Sequence, residues 1–595
     1  MTDNGVELPG STRRERQPAR FGSDLVADML RDFGVRYLPM NPGSSFRGLH
    51  DSIVNHGGNR DPQLLLCLHE EIAVSLAHGY AKASGEIGVA AVHDLVGLMH
   101  ASMAVYDAFA DRAPLLLLGG SGPADPAQRR PVDWLHSATT QAQLVRDYVV
   151  WDAEPATPAA FVSDLVRARQ HALSAPRGPA YVSLDAAVQE MWLDAPIPNP
   201  DLGLHAPAPR MAPDPDAVTA AAALLAKAER PVVVAGRVSR DPAATDSLTA
   251  LVELVGAAYH DDRNGVVLPT DHPQNLTGSP EVLRDADVVV AVDVVDLSAL
   301  LSPRGRDRGS GPRAETSGPD SSTAVIDISY GELGTRSWSN AFGAPFPRTV
   351  ALPGDPLLGA TQLRQALEPL VDPAVVARRR AELAAHQAHL RHRQQEIVRE
   401  RWNEIPVSPA RLVDELWQAV RDIPHLLCLR NTRSWPEGVW KFPGAGSYLG
   451  HSGGGGVGHG PGALVGGALA ARDSGRLGVG IIGDGDLLMA AGALWTAVHY
   501  RIPLLVVVND NGSFYNDEEH QAEVARQRRR PVEHSWIGMR VADPRVDLAG
   551  LARSYGAQAW GPVEDPDLLA KTLQEATESA IAGAVAVVQV RTAPR

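Results

Sequence analysis

The stretch Ile482–Asp517, IGDGDLLMAAGALWTAVHYRIPLLVVVNDNGSFYND, decides the fold. The apolar run Leu477–Ile482 ends in an acidic Gly turn, a helical stretch follows, and a second apolar run, Ile502–Val508, ends in an Asn-bearing turn. A strand, a helix and a strand within this length form one βαβ unit, so the two runs are expected to be parallel neighbours. Asp484 and Asn511, 27 residues apart (511 − 484 = 27), then stand at carboxyl strand ends, where α/β sheets bind ligands. A carboxylate, an amide oxygen and a backbone carbonyl from the same turn suit a hard octahedral Mg²⁺, whose other positions go to phosphate oxygens and water. Gly483 and Gly485 let the backbone come close to a diphosphate.

At 595 residues the chain is too long for one core, and about three to four domains are expected. With 44% hydrophobic and 21% charged residues it falls among soluble globular proteins. Its net charge of −15 argues against a nucleic-acid partner, which requires a basic face. The two cysteines, Cys67 and Cys428, are too few for a disulfide framework, so a cytoplasmic location is expected. No run reaches the roughly 18 apolar residues of a membrane helix. Residues 1–20 carry Arg13, Arg14, Arg16 and Arg20 without an apolar centre; they read as a disordered tail and not as a secretory signal.

Outward from the deciding stretch, apolar runs and helical patterns alternate throughout. The fold class is therefore α/β, with three consecutive doubly wound, mainly parallel-sheet domains. Residues 21–193 hold the first, with a strand before Asn41–Ser45 (NPGSS), strand Leu64–Leu68 ending in His69-Glu70, helix Ile72–Ser84, strand Val89–His93 and helix Met99–Ala110. A Pro-rich linker, 194–216, leads to a middle domain, 217–372. The polar insert 302–322 buries nothing and is expected to be mobile. A charged helix, 373–404, connects to the third domain, 405–595, which contains the deciding stretch.

The GDG and NDN turns of this stretch resemble the cofactor motif of the thiamin-diphosphate-dependent decarboxylases and carboligases. The resemblance covers nearly the whole chain after the tail and implies the domain order pyrimidine-binding, middle, diphosphate-binding. It implies thiamin diphosphate and Mg²⁺ as cofactors, with Asp484, Asn511 and the backbone carbonyl of Ser513 holding the metal. Within the family the chain most resembles benzoylformate decarboxylases and acetolactate synthases, and Ala493–Ala497 (ALWTA) is most like the former. Some middle domains of the family bind FAD or ADP and many bind nothing, so a nucleotide here has no support from the residues.

The family needs a carboxylate against the pyrimidine nitrogen to favour the reactive tautomer, and Glu70 matches that position of its HE motif. Glu70 comes from one subunit and Asp484 from another, which implies a homodimer or homotetramer with the active site at the subunit interface. Glu71 reads as an ordinary first-turn helix carboxylate. His93 matches a strand-end histidine of benzoylformate decarboxylases, and its ordinary pKa near 6.5 suits proton transfer at neutral pH. The stretch Leu95–His100 replaces the family's Gly-Pro-Gly…Asn loop, which borders the reaction space, so the substrate is left open.

In the Gly-rich segment His451–Ala470, Val457 takes the place of the apolar residue that wedges between the cofactor rings, with Gly456 beside it. Asn431, Thr432, Gly483, Gly485, Asp486, Ser513, Phe514 and Tyr515 are expected around the cofactor or substrate. His451 and His459 face either substrate or solvent. Arg526–Pro531 (RQRRRP) reads as a solvated helix end sooner than as a phosphate site. The expected activity is non-oxidative decarboxylation of a small-molecule 2-oxo acid with carboligase capability. The alternatives are acetolactate-synthase-like condensation, 2-hydroxyacyl-CoA cleavage, or a non-catalytic homologue that kept only the fold.

Overall fold

Continuous apolar runs such as Leu504–Val508 carry no in–out alternation, which suits strands covered on both faces. The computed structural model describes residues 18–262, 265–301, 323–331, 346–431, 435–450 and 452–593. The expected tail through residue 17, the insert 302–322, Thr432 and His451 lie outside the described residues. Residues 18–20 were expected in the tail, yet Arg20 accepts a backbone hydrogen bond from Leu193 (2.9 Å) and donates its own to Asp24 (2.9 Å).

Three parallel sheets follow one another along the chain. The first has strands β1 (Tyr37–Met40), β2 (Gln63–Leu66), β3 (Gly88–Val92), β4 (Leu115–Ser121), β5 (Trp151–Ala153) and β6 (Pro179–Asp185), in the order β2-β1-β3-β4-β6-β5. The second has β7 (Pro231–Ala235), β8 (Ala258–Asp261), β9 (Val288–Val292), β10 (Ala324–Ser329) and β11 (Val350–Pro353), in the order β11-β10-β9-β7-β8. The third has β12 (His425–Arg430), β13 (Leu477–Gly483), β14 (Leu504–Asp510), β15 (Gln558–Val563) and β16 (Val585–Arg591), in the order β12-β13-β14-β16-β15. Leu504–Val508 is 0% exposed throughout, and each such side chain contributes about 1.5–3 kcal/mol by leaving water.

The first and third sheets are joined by two helices, Glu70–Ser84 and Gly460–Asp473. Their backbones touch because the contact carries glycine. A Cβ on Gly79 would lie 2.1 Å from the Ala463 carbonyl oxygen, and one on Gly466 would lie 1.9 Å from that of Leu76. Gly466→Val would force the pair apart at a cost of about 1–3 kcal/mol.

Two expectations are corrected. The connecting helix spans Pro373–Glu400 and stops before Arg401, whose guanidinium turns to Glu404 (2.8 Å). The helix expected from Met99 begins at Asp94 and runs to Ala110. Leu98, Ala101 and Val105 extend one buried face back towards its first turn, so Leu95–His100 is helix and not the loop the family pattern suggests. No helix among the described residues is long and apolar enough to cross a membrane.

Candidate active site

Asn431, Asp484 and Asn511 directly follow β12, β13 and β14, three adjacent strands paired with Gly483 opposite Asn509. Asp484 is 3% exposed. One carboxylate oxygen accepts from the Gly485 amide (2.9 Å) and the other from the Gly512 amide (2.6 Å), which ties the two strand ends together. Asn511 Oδ1 accepts from the Ser513 amide (2.9 Å). The Ser513 hydroxyl donates to Glu518 (2.8 Å), which Arg540 holds (2.7 Å). Burial pushes the Asp484 carboxyl up to about 6, and the neighbouring Asp510 adds to this. A divalent cation at this corner would offset both effects.

Asp484, Asn511, Asn431, Val457, Gly456, Gly483, Gly485, Asp486, Ser513, Phe514 and Tyr515 line one cleft of about 860 Å³, within the usual size of small-molecule sites; Glu70 does not. Gly483 is open to it, with the Asn431 amide 3.7 Å from a virtual Cβ, whereas the space beside Gly485 is filled by the Phe514 ring at 2.6 Å. Asp486 directs its carboxylate to the protein, accepting from the Gly458 amide (2.6 Å) and from Asn431 Nδ2 (3.4 Å). It thus anchors the Gly-rich loop, on which Val457 stands 45% exposed. His459 is 2% exposed and lies between Ser75 Oγ (2.8 Å), His78 Nδ1 (3.0 Å) and Asp107 (3.2 Å). Burial lowers its pKa to about 3, so it is a neutral link between the first and third domains. Arg526 pairs with Glu523 on the surface, and Arg528, Arg529 and Arg530 are exposed.

On the first sheet, Glu70 opens its helix in a buried position, 6% exposed. Its Oε2 meets His100 Nδ1 at 3.0 Å. His69 caps the helix by accepting the Glu71 amide (3.2 Å) and stacks on His100, with ring centroids 4.8 Å apart. Glu71 is half-buried, and burial, followed by Asp107 and Asp486, pushes its carboxyl up. His93 stands just before the helix after β3, without its side chain capping it, and places Nδ1 2.7 Å from Ser45 Oγ. Its pKa is lowered, mainly by burial and then by His136, whose ring centroid is 5.2 Å away, while Glu70 opposes them. Sequence reasoning missed Ser45, Asp94, His100 and His136. Ser45 lay within the strand-end NPGSS and Asp94 beside His93, so strand-end position was the signal available.

Two sets of polar side chains thus stand at carboxyl strand edges: Asp484 and Asn511 on the third sheet, histidines and carboxylates on the first. Family profiles match both edges and the middle: "Thiamine pyrophosphate enzyme, N-terminal TPP binding domain" at residues 20–144, the central domain at 218–344 and the C-terminal TPP binding domain at 431–590. The chain belongs to the thiamine pyrophosphate enzyme family. This thiamine pyrophosphate enzyme is 25% identical over 573 residues, 93% of its length and 89% of the relative's, to a protein named "Probable acetolactate synthase large subunit" from Methanocaldococcus jannaschii. It is 27% identical over 583 residues, 93% of its length and 91% of the relative's, to a "Probable 2-ketoarginine decarboxylase" from Pseudomonas aeruginosa. Its fold matches benzoylformate decarboxylase from Polynucleobacter necessarius with a TM-score of 0.74 at 20% identity, covering 96% of this chain and 98% of that one.

Proposed function

We propose that this thiamine pyrophosphate enzyme binds thiamin diphosphate through Mg²⁺ and carries out non-oxidative decarboxylation of a small 2-oxo acid, with carboligase capability. The observation that carries the reading is the convergence of Asp484 and Asn511 on one corner of a single cleft, while His93 stands at a strand end of the first sheet. Asp484, Asn511 and the Ser513 carbonyl would hold the metal, a donor set of hard oxygens that fits Mg²⁺. When bound, thiamin diphosphate would supply a nucleophilic carbon and an electron sink for cleavage of the C–C bond next to the 2-oxo group. Val457 supports the rings from the Gly-rich loop. Glu70 would hydrogen-bond the pyrimidine nitrogen, and its buried position would keep water from competing for that bond. His93 gives and takes protons at the substrate.

Glu70 and His93 do not line the cleft of their own chain. Leu68 and Met99, near Glu70, are exposed at 45% and 55%. These features support an assembly, homodimer or homotetramer, in which a second copy brings Glu70 to the cleft. Buried free thiols at Cys67 and Cys428 suit the cytoplasm.

Acetolactate-synthase-like condensation is the second reading, favoured by the named relative at 25% identity. A panel of 2-oxo acids separates the two: CO₂ release and carboligation products are measured with and without thiamin diphosphate. Aldehyde as the main product supports decarboxylation, and condensed acid as the main product supports the second reading. Turnover independent of the cofactor overturns both. Mixing Glu70→Gln with Asp484→Ala chains should restore part of the activity that each lacks, if the site is shared between copies.

A further inference from the structure

Three strand ends of the first sheet meet around Ser45. It follows β1, His93 and Asp94 follow β3, and Gly120 lies in β4. Ser45 is 1% exposed, with Oγ 2.7 Å from His93 Nδ1; a Cβ placed on Gly120 would meet both this Oγ and, at 3.3 Å, Asp94 Oδ1, so the hydroxyl and the carboxyl flank the same point. The fit leaves no slack: a Cβ on Gly120 would lie 2.0 Å from Ser45 Oγ, and one on Gly43 would lie 2.3 Å from the His93 ring.

Asp94 is unusual in three respects. It is 2% exposed, its φ is +33°, and its Oδ1 has no hydrogen-bond partner. Left-handed backbone and a poorly satisfied buried carboxyl both cost stability, and packing alone requires neither. Burial raises this carboxyl to about 6, close to the range in which a histidine titrates.

We propose that Asp94 and Ser45 are positioning residues that form a proton relay with His93, setting which ring nitrogen of His93 carries the proton. This rests on the reading of His93 as the acid–base group. With Asp94 ionised, the Ser45 hydroxyl donates to it and accepts from Nδ1–H, which leaves Nε2 as a base. When Nε2 takes a proton from the substrate side, the Nδ1 proton passes to Ser45 and the Ser45 proton passes to Asp94. One proton enters at Nε2, one arrives at Asp94, and the ring stays neutral. The return transfer makes Nε2–H the acid.

Other charged groups face the relay. Glu70 raises the pKa of His93, and His136 and Arg130 lower it. Asp133 raises that of Asp94, and His136 and Arg130 lower it. They bias the relay without bridging its members.

The test is acylation of His93 by diethyl pyrocarbonate in the full chain, followed peptide by peptide by mass spectrometry across pH, with and without thiamin diphosphate. Loss of the negative charge, or of the hydroxyl that accepts from the ring, makes the ring less basic. In Asp94→Asn and Ser45→Ala the acid limb of labelling should therefore move down by about one pH unit. Asn tolerates the left-handed backbone, so Asp94→Asn keeps the fold. An unmoved limb in both variants overturns the relay. Unchanged turnover in His93→Ala overturns instead the acid–base reading on which it rests, while labelling of the ring still reports the relay itself.

Discussion

The carboxyl edges of the first and third sheets use polar groups in opposite ways. On the third, buried carboxylates are tied to backbone amides: Asp484 to Gly485 and Gly512, Asp486 to Gly458. On the first, side chains meet side chains: Glu70 with His100, Ser45 with His93. Each edge holds a carboxyl raised to about 6, Asp484 on the third and Asp94 on the first. Backbone amides hold Asp484 in place, whereas on the first sheet a hydrogen-bonded histidine ring stands beside the raised carboxyl and offers it a proton partner. On the proposed function, the third edge would hold the cofactor and the first would act on the substrate.

Substitutions can break or sharpen this contrast. Glu70→Gln should lower turnover by about 10³-fold or more while cofactor affinity, measured by fluorescence titration, stays near that of the parent. Asp484→Ala should do the reverse, weakening Mg²⁺-dependent binding of thiamin diphosphate by about 100-fold; equal loss of binding in both variants would erase the distinction. His93→Ala should slow turnover by about 10²-fold, read as kcat on the substrate found by the panel.

The smallest effect concerns stability. The folded-state pKa of Asp94, about 6, lies above the ordinary value near 3.9. The native state therefore binds the extra proton over that window, and stability falls as pH rises through it. Asp94→Asn removes that loss, so its Tm should exceed the parent's by a few degrees at pH 8, with the gap closing by pH 4.

What could be read from the chain follows the same divide. Asp484 and Asn511 sit in strand–turn–helix segments whose apolar runs announce the strands, so their place at one corner was legible. Glu70 was legible for the same reason, following LLLCLH. The Ser45–His93–Asp94 contact was not, because it needs β1, β3 and β4 brought side by side, and the positive φ of Asp94 leaves no mark on residue type. Asp486 was expected at the cofactor from its place in the acidic turn, yet its oxygens meet Gly458 and Asn431, more than twenty-five residues away. His459 read as a loop histidine, and only the docking of two distant helices encloses it.

That docking, with glycine against backbone at Gly79 and Gly466, has an evolutionary consequence. A surface lacking even a methyl group of clearance accepts almost no drift. Recombination that exchanges the first unit for one from a distant cousin should fail unless the matching helix of the third travels with it. The two would then be inherited as one block, leaving the middle unit freest to diverge.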